Sequence, residues 1–372
     1  MSDESGVTGG LDGLMAGLGD LGWPEGQELD FCAPGQRPGR VSIVHGGRAE
    51  VIWFPDDAPV ERSFELRHDL RVIPVAGDWV AVSGDEIRDV RERHTCLSRP
   101  DPNGRDVQVL AANIDLVLIV LPIDRGLNPK NLERLSVMAW DSGAEPLVLL
   151  TKADAAVAPE AEVAEAERLA PGVEVILTSS VDGRGLDRVR ARLGRGTTAT
   201  MLGASGAGKT SLLNALNAFG SFGGVDGAEG ADAPGGRVEP TREVRRDGAG
   251  RHTTTTRRLY RLAGGGVLLD LPGIRSLDLL AGDDAVQETF ADIALLAQDC
   301  RFRDCGHDAE PGCAVTEAVE SGTLEARRLA SWRAIRRELA YLERRNDPLK
   351  MAAHRAEWKA IAKSNRHDKG KR

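Results

Sequence analysis

Gly203-Ala204-Ser205-Gly206-Ala207-Gly208-Lys209-Thr210 fits G-x-x-x-x-G-K-[ST], a spacing with one well-defined chemical use. Successive backbone N–H groups of such a loop, followed by a helix N-terminus, converge on the oxygens of a phosphate. In that arrangement Lys209 reaches the β and γ phosphates, and the Thr210 hydroxyl ligates Mg²⁺. The apolar run Thr198–Leu202 before the loop predicts a strand, and Ser211–Leu216 after it predicts a helix, the context the pattern requires. Ser211 closes the segment that faces the nucleotide.

A phosphate loop does not say which base is bound. Thr151-Lys152-Ala153-Asp154 follows the apolar run Leu147–Leu150 and resembles the N-K-x-D element with which GTPases recognise guanine. A carboxylate there accepts from guanine N1–H and the exocyclic amine, two donors adenine does not present, while the Lys stem covers the base. Thr178-Ser179-Ser180 ends the next predicted strand and supplies a second guanine loop through Ser179 and Ser180. Asp270-Leu271-Pro272-Gly273 resembles the D-x-x-G element, with Asp270 on the Mg²⁺ side and the Gly273 amide at the γ phosphate. His252 and Thr253 to Thr256 precede it in the place of the first switch. Ile274 stands where many GTPases place the Gln that orients the attacking water, so a slow intrinsic rate is expected. His252 is the nearest polar substitute for that role, and Lys209 and His252 are the catalytic candidates.

The order of these elements is unusual, because the guanine elements near 151 and 179 come before the phosphate loop at 203 and the switches at 253 and 270. They form one site only if the chain is circularly permuted, which a doubly wound sheet with neighbouring termini tolerates. Farther on, Cys300-x₄-Cys305-x-His307-x₅-Cys313 offers three thiolates and one imidazole. That is a complete tetrahedral set for one structural Zn²⁺. Cys32 and Cys96 belong to no such pattern.

Positioning these groups takes several elements, and 372 residues allow two or three domains. Residues 1–38 carry Gly, Pro and acids, with glycines interrupting the face of Leu11, Leu14, Leu18 and Leu21, so a flexible tail is expected. Residues 39–100 read as five short alternating runs separated by Gly- and Asp-rich turns, which predicts an N-terminal β-barrel of the OB type. Residues 106–284 alternate buried apolar runs with helical patterns. That texture predicts an α/β P-loop domain with a mostly parallel sheet, its strands at Leu116–Leu121, Leu147–Leu150, Val173–Leu177, Thr198–Leu202 and Val267–Leu269. The stretch Gly220 to Gly236 lacks core formers and predicts a flexible insertion. Residues 285–372 predict a helical zinc-binding domain with helices Leu324–Arg345 and Pro348–Lys363 and a basic tail.

The chain carries a net charge of −9, yet from Leu324 to Arg372 fifteen Lys and Arg face six Asp and Glu. That local excess favours contacts with phosphates, and hence RNA. The general preference for Arg over Lys follows from a GC-rich coding sequence and carries no function by itself. No apolar run approaches the ~20 residues of a membrane span, and the first residues lack the charge and continuity of a secretory signal. A cytoplasmic protein without membrane contact is expected.

Taken together, these residues resemble the ribosome small-subunit-dependent GTPase A family over about residues 39 to 345. The most specific stretches are Ala112-Asn113-Ile114-Asp115, Gly203 to Ser211, Gly250-Arg251-His252-Thr253-Thr254-Thr255, Asp270 to Gly273, and Cys300-Arg301-Phe302-Arg303-Asp304-Cys305-Gly306-His307. The resemblance implies an OB-type barrel, a circularly permuted GTPase domain and a zinc-binding helical domain. It further implies GTP hydrolysis coupled to late maturation of the small ribosomal subunit, with that subunit and its rRNA as partners, GTP and GDP as ligands, and a monomeric chain. Thr151 departs from the usual Asn. Two other readings use the same residues: an ATP-dependent P-loop enzyme acting on a small metabolite, and an RNA-binding zinc protein with a regulatory nucleotide site. Asp154 argues against the first, and turnover of GTP separates the second.

Overall fold

In the computed structural model the described residues are 5–55, 59–100, 107–220, 258–262, 265–271, 279 and 281–346. Strands β1 (Arg37–His45), β2 (Arg48–Trp53), β3 (Val60–Leu66), β4 (Trp79–Ser83) and β5 (Glu86–Val90) close into a barrel in the order β1-β2-β3-β5-β4. Alternation places Val41, Val51, Phe64, Val80, Val82 and Ile87 inside, where they form the barrel core. This is the OB-type barrel the sequence predicts. A two-stranded ribbon follows, β6 (Cys96–Pro100) with β7 (Val107–Ala112).

Where a flexible tail is expected, the described residues before β1 include a helix and buried side chains. Helix α1 (Ser5–Asp20) occupies much of the segment, and Leu14, Leu18, Leu21 and Trp23 are buried. Trp23 meets Trp79 of β4 edge to face at 4.9 Å, and the guanidinium of Arg91 lies 4.3 Å from the Trp23 ring centre. The glycines that read as helix breakers include a packing requirement. A Cβ on Gly17 would lie 2.3 Å from the Phe54 ring, so glycine lets the helix approach the end of β2 closely.

The six-stranded sheet runs β10 (Val175–Leu177), β9 (Glu145–Thr151), β8 (Leu116–Pro122), β11 (Thr198–Leu202), β13 (Val267–Asp270), β12 (Arg258–Arg261). All neighbours are parallel except β12 with β13. The middle strands are buried along almost their whole length, since helices cover both faces. Leu118, Val120, Leu147 and Leu149 pack with α4 (Leu186–Arg192) and α5 (Lys209–Gly220) through Val189, Leu212 and Leu213. Helices α2 (Pro129–Asp141) and α3 (Pro159–Leu169) pack on β8, β9 and β10. The Asn128 side chain caps α2 by accepting from Asn131 N, with Pro129 at the first turn. β10 begins two residues later than Val173, where the sequence predicts its start.

The described residues fall into two compact units, one from 1–97 and 109–277, the other from 98–108 and 278–372. The barrel and the six-stranded sheet both lie in the first of these units. The second unit carries α6 (Asp283–Thr289), α7 (Ala291–Ala297), α8 (Ala314–Glu320) and α9 (Ala326–Asn346). Arg328 of α9 is buried there, paired with both carboxylate oxygens of Asp292 and donating to Thr289 O at 2.8 Å. The sequence-predicted helix Leu324–Arg345 corresponds to α9, whereas Pro348–Lys363 and the insertion beyond Gly220 lie outside the described residues. Among the described residues no helix is long and apolar enough to cross a membrane.

Candidate functional site

Three loops meet at the carboxyl ends of the parallel strands, the edge where ligands of open α/β sheets bind. The first leaves β11 at Gly203, where a Cβ would lie 2.5 Å from the Val120 carbonyl, so only glycine lets the loop pass over β8. Ala204, Ser205 and Gly206 are exposed, Ala207 is buried, and α5 begins at Lys209 with Leu212 N donating to Gly208 O at 2.8 Å. Thr210 and Ser211 stand exposed in the first turn. Lys209 Nζ donates back to Gly203 O at 2.7 Å and Ala204 O at 2.9 Å, so the ammonium lies over the loop it belongs to.

Asp270, the last residue of β13, lies near enough for its charge to interact with this ammonium. Burial raises the Asp270 pKa and Lys209 opposes the rise; burial likewise lowers the Lys209 pKa and Asp270 opposes it. The two charges thus stabilise one another in a partly desolvated space beside the phosphate loop.

The second loop leaves β9 at Thr151. Lys152 adopts a left-handed φ of 60°, after which Ala153–Ala155 make a single tight helical turn that carries Asp154. Ala153 N donates to Thr178 O, tying this turn to the third loop, which leaves β10. Ser179, buried, donates through Oγ to Asp154 Oδ1 at 2.7 Å and accepts from Val181 N and Asp182 N. Ser180 is half-buried beside it. The Thr151 hydroxyl donates to Ala207 O at 2.7 Å in a buried setting. That bond joins the loop after β9 directly to the phosphate loop.

Sequence reasoning missed Asp124. It lies just past the end of β8 and holds Lys152 Nζ at 3.2 Å. A carboxylate at a strand end was the only local signal, and nothing in the spacing from 124 to 152 marks the pair. His252, Thr253 to Thr256, Pro272, Gly273 and Ile274 lie outside the described residues.

In the second unit, the ligand atoms of Cys300, Cys305, His307 and Cys313 lie within 4.8 Å of one another, a group able to hold one metal ion. His307 Nδ1 is 3.6 Å from Cys300 Sγ and 3.5 Å from Cys313 Sγ, and the two sulfurs are 3.9 Å apart. Cys313 also caps α8 by accepting from Thr316 N.

Residues 90–280 match the family described as RsgA GTPase. A protein of Streptomyces coelicolor named small ribosomal subunit biogenesis GTPase RsgA is 40% identical over 353 residues, covering 92% of each chain. The chain belongs to the RsgA GTPase family. An RsgA of Opitutus terrae is 36% identical over 373 residues, covering 94% of this chain and 97% of its own. Among solved structures, YjeQ from Thermotoga maritima is 25% identical with a TM-score of 0.59, covering 82% of this chain and 98% of its own. YloQ, described as a circularly permuted GTPase, is 21% identical with a TM-score of 0.56, covering 82% and 95%, and shares the fold. As an RsgA GTPase the chain is a GTP hydrolase. Its loops after β9 and β10 precede the phosphate loop in sequence and meet it in space, which is the physical content of the permutation.

Proposed function

We propose that this GTPase binds the small ribosomal subunit through its rRNA and couples GTP hydrolysis to late maturation of the subunit. The observation that carries the reading is the meeting of Thr151, Asp154, Ser179, Lys209 and Asp270 around one sheet edge, in a chain whose relatives are named for biogenesis of that subunit. Asp154, held by Ser179, takes the N1–H and amino group of guanine; Lys152 and Ala153 line the base, and Ser180 closes the base loop. Amides of Gly203 to Thr210 and of Ser211 bind the phosphates of GTP or GDP, with Lys209 at the β and γ positions. Thr210 and Asp270 would hold the Mg²⁺ that accompanies GTP, and such an ion would neutralise charge on the phosphates. Gly273 and His252 complete the γ-phosphate end. The chain works as a monomer in the cytoplasm, and the Arg-rich face of α9 meets rRNA phosphates. Barrel, GTPase and zinc-binding segments follow the divisions near 39, 106 and 285. The relatives favour neither the ATP-dependent reading nor the purely regulatory one.

The Cys₃His group suits zinc. A tetrahedral Zn²⁺ with Zn–S of about 2.3 Å sets sulfurs about 3.8 Å apart and sulfur to nitrogen about 3.6 Å, close to the separations among Cys300, His307 and Cys313. Structural zinc supplies folding free energy, so Cys305→Ala is expected to lose one equivalent of zinc and the fold of α7 and α8 while GDP affinity stays within about twofold. Metal analysis together with GDP titration checks both parts.

GTP turnover measured with and without purified small subunits tests the function. Subunits are expected to raise turnover on the order of 10²-fold, the scale of a correctly placed proton acceptor, and His252→Ala is expected to abolish the rise while sparing GTP affinity. Full stimulation of the variant would move the role to another group, and no stimulation of the unmodified protein would remove the proposed coupling.

A further inference from the structure

Thr151 occupies the position where the resembling element has Asn, and the structure shows what its hydroxyl does. The hydroxyl has one hydrogen, and it goes to Ala207 O at 2.7 Å, with Thr151 and Ala207 both almost wholly buried. A Thr hydroxyl so engaged has only lone pairs left to offer. Guanine N7 is itself an acceptor, and two acceptors do not bond. An Asn amide carries two hydrogens, enough for one carbonyl and one ring nitrogen.

We infer that this GTPase reads guanine without a hydrogen bond from Thr151 to N7, and that Thr151 is instead a positioning residue for the phosphate loop. The inference rests on the guanine reading of Asp154 given above. It assigns base selection to the N1, N2 and O6 edge, where Asp154, fixed by Ser179 at 2.7 Å, and the loop after β10 lie. The Ala207 carbonyl would otherwise be a buried acceptor without this donor, so the tether also shapes the loop that receives the phosphates.

The test is equilibrium titration of the full chain with GDP, 7-deaza-GDP and ADP. Replacing N7 by carbon removes that acceptor and leaves the rest of the edge unchanged. The unmodified protein is expected to bind GDP and 7-deaza-GDP within about twofold of one another, and both far more tightly than ADP. Thr151→Asn is expected to raise the ratio of the two dissociation constants to about tenfold, the value of one added neutral hydrogen bond. Thr151→Val is expected to weaken GDP and 7-deaza-GDP equally, and Thr151→Ser to leave both unchanged, as a loop tether requires. A ratio of tenfold or more in the unmodified protein overturns the inference, as does a Thr151→Val variant that weakens GDP alone. Preference for GDP over ADP with such a ratio removes only the assignment of Thr151, whereas equal binding of ADP and GDP removes the guanine reading and the inference with it.

Discussion

Asp154→Asn is expected to weaken GTP binding roughly 100- to 1,000-fold, the loss of two hydrogen bonds to a charged acceptor, and to make xanthosine triphosphate the preferred ligand. The substitution is nearly isosteric. Asn can still accept from Ser179 Oγ through its amide oxygen, so the side chain stays where the 2.7 Å bond holds it and its NH₂ takes the place of the carboxylate oxygen left for the base. Two donors then face guanine's N1–H and amino group. Xanthine carries a carbonyl in place of that amino group, so one repulsive pair becomes attractive. Competition binding of GTP, xanthosine triphosphate and ATP reads the change. An unaltered order among the three nucleotides would sink the assignment of Asp154.

The second large effect is expected at Arg40, in a part of the molecule remote from the nucleotide loops. Arg40 leaves β1 of the barrel and is fully buried. Its guanidinium donates to Thr198 Oγ1 at 2.8 Å, Asn113 O at 2.9 Å, Gly77 O at 3.2 Å and Leu21 O, and lies 5.0 Å from the Trp79 ring centre. Burial lowers its pKa to about 10, with Asp115 and Asp78 opposing the fall, so it stays charged at neutral pH. One side chain thereby links the residue after α1, the barrel, the entry to β8 and the first residue of β11. Arg40→Met would leave four acceptors in the interior without this donor, and the expected cost is about 3–5 kcal/mol of unfolding free energy. Arg40→Lys keeps the charge, but three N–H groups on one atom cannot serve four acceptors spread around a planar fork, so an intermediate loss is expected. Urea unfolding of the full chain measures both. A loss below about 1 kcal/mol for Arg40→Met would show that water satisfies these carbonyls and that Arg40 does not join barrel to sheet.

The same cluster explains Ala112-Asn113-Ile114-Asp115, a stretch specific enough to support a resemblance but silent about its purpose. Asn113 takes a left-handed φ of 55° and donates through Nδ2 to Gly77 O at 3.1 Å, while its carbonyl accepts from Arg40. Asp115 accepts from Thr198 N at 2.7 Å. The segment is a junction between the barrel, β8 and β11.

What the sequence determined by itself is the chemistry whose geometry is local. The phosphate loop is legible because its donors are consecutive amides, so eight adjacent residues specify the whole cradle. Thr151 to Asp154 and the Cys₃His group are legible for the same reason, each being a few residues with one chemical use at one spacing. Alternation and apolar runs likewise predicted the barrel and the parallel sheet, because one or two buried faces write their period directly into the chain. Tertiary structure alone decided the rest, where a residue's meaning depends on a neighbour far away in sequence. Gly17 reads as a helix breaker until Phe54 is found against it, and nothing adjacent in the chain marks Arg40 as buried until Thr198, 158 residues away, is found within hydrogen-bond distance. Thr151 reads as a defect in a guanine motif until its hydroxyl is seen on Ala207, 56 residues later. Buried polar groups need partners, and the chain supplies them across distances that no local pattern records.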